Sequence, residues 1–86
     1  MYIVNIQSRD DEMAREVAAL IGARPGHAYH HIESRYVDAP SPRAAVVAAK
    51  CPPGSWITVQ DQDISGWPSV AYFRIDSLGR IRIARQ

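Results

Sequence analysis

Hydrophobic and polar positions alternate most regularly from Ser69 to Arg85 (SVAYFRIDSLGRIRIAR), where two runs flank Asp76-Ser77-Leu78-Gly79-Arg80. A period of two marks half-buried strands, and a three-residue loop with Gly at the left-handed position is a common hairpin connection. The register that follows pairs Asp76 with Arg80, Arg74 with Arg82 and Tyr72 with Ala84. Ala71, Phe73, Ile75, Ile81 and Ile83 then form a core face. Tyr72, Arg74, Asp76, Arg80 and Arg82 form the outer one. A slip of one residue would set Arg74 against Ile81 or Ile83 and undo that division.

The same pattern organises the rest of the chain. Tyr2 to Gln7 alternates, with Tyr2, Val4 and Ile6 on one side and Ile3 and Asn5 on the other, and predicts a first strand. Ser8 is the expected N-cap of a helix over residues 9 to 21. Asp10, Asp11 and Glu12 crowd its first turn, where the helix dipole favours carboxylates. Met13, Val17, Leu20 and Ile21 make its apolar stripe, Gly22 stops it, and Arg24-Pro25-Gly26 is a loop. From His27 to Asp38 both faces are mixed: His30, Ile32, Ser34 and Tyr36 share one, and Tyr29, His31, Glu33, Arg35 and Val37 the other. Such a run predicts an edge strand, or one paired only through its second half. Asp38-Ala39-Pro40 ends it. Ser41-Pro42 opens a second helix with a capping hydroxyl and Pro at the first helical position. Its expected buried stripe is Ala44, Val47, Ala48 and Cys51, and Pro52-Pro53-Gly54 ends it. Trp56 to Gln60 predicts a third strand with Ile57 and Val59 inward and Trp56 and Thr58 outward. A polar loop over residues 61 to 68, containing Gly66-Trp67-Pro68, leads into the hairpin. The order is β-α-β-α-β-β-β. It predicts an α+β fold in which two helices pack on one face of a mostly antiparallel sheet of four to five strands.

Composition narrows the class. The 86 residues are 47% hydrophobic and 22% charged, which suits one globular domain spanning residues 1–86. A net charge of +1 does not by itself announce a nucleic-acid or membrane-surface binder. A single Cys, Cys51, allows no internal disulfide and makes a reducing compartment the default. The N-terminal sequence lacks the pattern of a signal peptide, and no apolar run approaches the roughly 20 residues that span a bilayer. A cytoplasmic protein with no membrane partner is expected, as a monomer or homodimer.

Candidate chemistry is sparse. His27, His30, His31 and Cys51 are the conceivable metal ligands, but His30 and His31 point to opposite faces of a strand and no second Cys completes a tetrahedral set. Cys51 reads as a small buried hydrophobe, and no Ser sits in a Gly-rich elbow. Asp61 and Asp63 are paired carboxylates, but they fall in a polar loop and read as a solvated turn. No phosphate-cradling motif is present. These readings predict neither catalysis nor a cofactor. The arginines stand out instead. Arg74 and Arg82 face each other across the hairpin, a mildly unfavourable pairing unless Asp76 or a partner offsets it. With Tyr72, Arg80 and the loop residue Trp67 they have the composition of a contact surface. The alternatives are a solvated face with Arg–Asp pairing, and a Trp67 folded over the core edge.

The strand end Tyr36-Val37-Asp38-Ala39, the Ala-rich helix opening at Ser41-Pro42-Arg43-Ala44-Ala45 and the compact meander after it resemble small accessory proteins of bacteriophages and mobile elements, the anti-CRISPR proteins above all. The resemblance lies in size and architecture and brings no motif. It implies a non-enzymatic inhibitor that docks on a bacterial protein or ribonucleoprotein complex, such as a CRISPR effector, in the host cytoplasm. Many anti-CRISPR proteins are strongly acidic and this chain is near neutral, so blocking a surface is expected rather than imitating a duplex. The alternative function is a small nucleic-acid-binding module or regulator using the same Arg face.

Overall fold

The computed structural model describes residues 1–24, 26 and 28–84. Its elements are β1 (Tyr2–Asp10), α1 (Asp11–Ile21), β2 (Ala28–Val37), α2 (Pro42–Ala49), β3 (Trp56–Asp61), β4 (Ser69–Ile75) and β5 (Ile81–Ile83). The expected order and fold class hold. Five strands form one sheet in the order β2-β1-β3-β4-β5, antiparallel throughout. The mixed strand β2 is indeed an edge.

Alternation along β1 fixes the two faces. Val4 and Ile6 point to the covered face, opposite Val59 and Ile57 of β3, and all four are at most 2% exposed. Phe73 and Ile75 of β4 continue this layer, and Ala45, Val46 and Ala49 of α2 close it. The helix therefore buries a different stripe from the expected one. Val47 is 61% exposed and Ala48 is exposed, while Cys51 is half-buried against the core. This rotation sets the branched Val46 into the core with Ala45 and Ala49, which the alternative stripe of Ala44 and Ala48 would not do. Arg35 of β2 is held by Glu33 at 2.7 Å, and its guanidinium donates to the carbonyls of Ala49 and Lys50, capping the helix end. Burial pushes the Cys51 thiol above its ordinary pKa.

α1 also departs from its expected form. Ser8 stays in the strand opposite His30, and Asp10 is the N-cap, its Oδ1 accepting the Met13 N–H at 2.9 Å. That backbone bond, with His30 Nε2 at 2.6 Å from Oδ2, holds the Asp10 carboxyl below its usual range. The helix buries Ala14 and Ala18, whereas Val17, Leu20 and Ile21 are 49%, 86% and 71% exposed. It lies near Ala28 at the start of β2, on the α2 side of the sheet, where only small side chains allow close approach. Pro25, His27 and Arg85 lie outside the described residues.

The hairpin keeps its expected register. Arg74 pairs with Arg82, the Ala84 N–H reaches the Tyr72 carbonyl at 3.0 Å, and Gly79 has φ +80°. Asp76 organises the turn. Its Oδ1 accepts the Arg80 N–H at 2.8 Å and the Leu78 N–H at 3.0 Å, and its Oδ2 meets Arg80 Nε at 2.8 Å and Arg82 Nε at 3.3 Å. These donors, the Arg80 amide first among them, hold the carboxyl at about 2. One core assignment fails: Ile83 is 76% exposed. β5 is a three-residue edge strand, and Ile81 alone of its two isoleucines packs against the core.

Two outcomes follow. Ile57→Ala should lower the unfolding free energy by about 2–5 kcal/mol, read from urea denaturation. Because Asp76 has a lower pKa folded than unfolded, its stabilisation is present above pH about 4 and is lost as pH falls through about 2. Asp76→Asn should therefore lower the melting temperature at neutral pH, and the gap from wild type should close between pH 4 and pH 2. A gap that stays constant over that range would show that the carboxylate's charge contributes nothing.

Candidate binding surface on the open face of the sheet

Among the described residues, no helix covers the second face of the sheet. The registers place on it Ile3, Asn5, Gln7 and Arg9 of β1, and Trp56, Thr58 and Gln60 of β3. Tyr72 and Arg74 of β4 and Arg82 of β5 extend the face to the far edge. β2 contributes more than simple alternation would give it. Its register against β1 shifts between Ile6 and Gln7, so that Glu33 faces Ile6, His31 faces Gln7 and Ile32 is the extra residue of a bulge. A bulge inserts one residue and changes the phase of alternation. Tyr29 and His31 are thereby moved onto the open face with Ser34 and Tyr36, which corrects the expected grouping of the β2 side chains. The His31 ring lies 3.2 Å from Ser34 Oγ, and Tyr29 packs on Trp56 with ring centroids 5.7 Å apart.

Three of the five expected contact residues meet here. Tyr72, Arg74 and Arg82 lie on neighbouring strands, with Trp56 directly opposite Arg74. Arg74 is exposed and makes no hydrogen bond or ion pair among the described residues. Arg82 shares Asp76 with Arg80, so the expected Arg–Asp pairing also exists. Arg80 sits at the turn and borders a groove with Arg43 and Val47 at the β5 edge. Trp67 lies apart from the arginines. It is 48% exposed at φ +48°, an uncommon conformation for a bulky residue, and its carbonyl accepts Gln60 Nε2 at 3.0 Å. Gln60 is four residues along β3 from Trp56, about 13 Å.

Sequence reasoning missed Tyr29, Tyr36, Trp56 and Arg9 as members of one surface with Tyr72. The outward direction of Trp56 was legible, but the phase change in β2 and the strand order were not. Arg9 places its guanidinium 5.8 Å from the Trp56 ring centroid, a cation–π contact, while its Nε holds Asp11 at 2.8 Å. Between the aromatic positions runs a fixed polar ladder. Ser34 Oγ donates to Asn5 Oδ1 at 2.7 Å, and Asn5 Nδ2 donates to Gln60 Oε1 at 2.8 Å. Thr58 Oγ1 donates to Gln7 Oε1 at 3.4 Å.

Charge is segregated on the molecule. No paired strand position on the open face is a carboxylate; Asp76 at the hairpin corner and Asp11, held by Arg9, adjoin it. Asp63 pairs with the Met1 amine at 2.6 Å, and Asp61 Oδ1 accepts the Asp63 N–H at 2.9 Å, beyond the Gln60 end of the sheet. Among the described residues no three His, Cys, Asp or Glu side chains converge on a common point, and no helix is long and apolar enough to cross a membrane. His30 and His31 do lie on opposite faces. Comparison with family models, with curated proteins and with solved structures finds no match to this chain.

Proposed function

We propose that the protein is a non-enzymatic binding protein that docks through its open sheet face on a bacterial ribonucleoprotein or protein complex and blocks it, in the manner of an anti-CRISPR protein. The observation that carries this reading is the face itself. Five paired strands present Trp56 and Tyr72 beside Arg74, with Tyr29 and Tyr36 on the β2 edge of the same face. Trp, Tyr and Arg are the residue types that dominate binding hot spots, because they bring large contact area with few rotatable bonds or several donors at once. The scaffold is firmest behind Trp56, Thr58 and Gln7, where the buried layer of Val4, Ile6, Ile57 and Val59 lies on the other side of the same strands. The inhibitory role rests on the likeness in size and architecture to anti-CRISPR proteins.

Tagged protein incubated with bacterial lysate should retain a discrete assembly. Arg74→Glu with Arg82→Glu should weaken its capture about tenfold or more, with the circular dichroism spectrum retained and the melting temperature lowered only by the loss of the Arg82–Asp76 contact. Capture by a folded double variant at wild-type strength would remove the open face from the reading.

A further inference from the structure

We infer that the ligand of the open face is single-stranded RNA, gripped by base stacking at Trp56 and Tyr29 and by phosphate contacts at Arg74. The inference rests on the docking role proposed above and names the component of the partner that is touched. Its starting point is what the face lacks. The paired positions hold one aliphatic side chain, Ile3, which is 4% exposed. A protein partner seeking apolar anchors would find little there beyond rings. The same positions hold no carboxylate, although the chain has nine acidic residues. A net charge of +1 thus conceals a face whose only adjoining carboxylates among the described residues, Asp11 and Asp76, are each held by an arginine.

What the face does hold is suited to a polyanion of flat rings. Base–aromatic stacking tolerates any sequence, since every base has a π-face, and neighbouring arginines hold the backbone. The Trp56 ring already accepts a flat cation, the Arg9 guanidinium at 5.8 Å. A nucleobase taking that position would release Arg9 toward its own phosphate. From Tyr29 on β2 to Arg82 on β5 the row crosses four interstrand gaps, about 19 Å in all. Sheet faces of comparable size stack two or three bases. RNA rather than DNA follows from the polar ladder alongside. Asn5, Gln60 and Ser34 are oriented by one another at 2.7–2.8 Å, and each keeps hydrogen-bonding capacity toward solvent. Such groups next to a stacking row can meet a 2′-hydroxyl, which is both donor and acceptor.

Fluorescence anisotropy with a fluorescein-labelled ten-nucleotide oligouridylate tests the assignment. Saturable binding is expected near 50 mM salt, with log K falling against log salt at a slope of roughly −1 to −3 for a few phosphate contacts. Trp56→Ala and Tyr29→Ala should each weaken binding about five- to a hundredfold. Arg74→Glu should weaken it about tenfold or more and flatten the salt slope. Lys50→Glu, at the end of α2 on the covered side, should leave it unchanged. If Trp56→Ala fails to fold, Arg74→Glu and Trp56→Leu, which keeps an apolar side chain but removes the stacking ring, give the same reading. Absent oligouridylate binding, while the Arg74/Arg82 double variant still loses its partner, overturns the RNA assignment and leaves the docking role standing. Equal or tighter binding of the matching oligodeoxythymidylate overturns the choice of RNA. Weakening by Lys50→Glu as large as by Arg74→Glu overturns the site.

Discussion

The sheet depends on the phase of β1. This strand carries ladders on both sides, to β2 and to β3, so its alternation is imposed on every strand beyond. Val4 and Ile6 cannot turn toward water without exposing side chains that are now at most 1% accessible. Their burial therefore sends Asn5, Gln7 and Arg9 outward. Through the registers it sends Trp56, Tyr72, Arg74 and Arg82 outward with them. The core and the candidate surface are two results of one constraint, because a strand has only two faces.

Arg35 is the second organising group, and it works across layers. It lies on the covered side of β2, paired with Glu33, and reaches the last carbonyls of α2. α2 has only eight residues and is rich in Ala, so its own side chains specify rotation weakly. Val46 is its largest fully buried side chain, and Arg35 caps the end of the helix that carries it. Burying Val46 leaves Val47 in solvent.

Legibility in the sequence followed the range of the interaction involved. The hairpin was readable because its register is set by turn chemistry within five residues: Gly79 at positive φ and Asp76 binding the turn's own amides. The fold class was readable from the order of periodic segments. The stripe of α2 was not, since Ala recurs on every side of this short helix and packing against β1, β3 and β4 decides which side is buried. Ser8 was mistaken for a cap because the choice between cap and strand is made by pairing with His30. Ile83 looked like core because alternation says which face a residue occupies and not whether that face is covered there. The candidate surface was half legible: Tyr72, Arg74 and Arg82 came from the hairpin alone. Tyr29 needed the bulge at Ile32, which no local signal announces.

β1 and β2 run past the rest of the sheet. β1 pairs with β3 only as far as Gln7, so Ser8, Arg9 and Asp10 are held by β2 alone, and α1 grows from this two-stranded extension. Few apolar groups tie it down, and segments with few buried contacts open at lower free energy than the domain as a whole. Arg9 and Tyr29 sit on the extension, whereas Trp56 belongs to the main sheet. A ligand that clasps all three closes the seam between the two parts and draws α1 into the folded unit, so occupancy would be registered some distance from the ligand as protection of the α1 amides against hydrogen exchange. Unchanged protection of those amides in the bound protein would show that the extension is already locked to the main sheet.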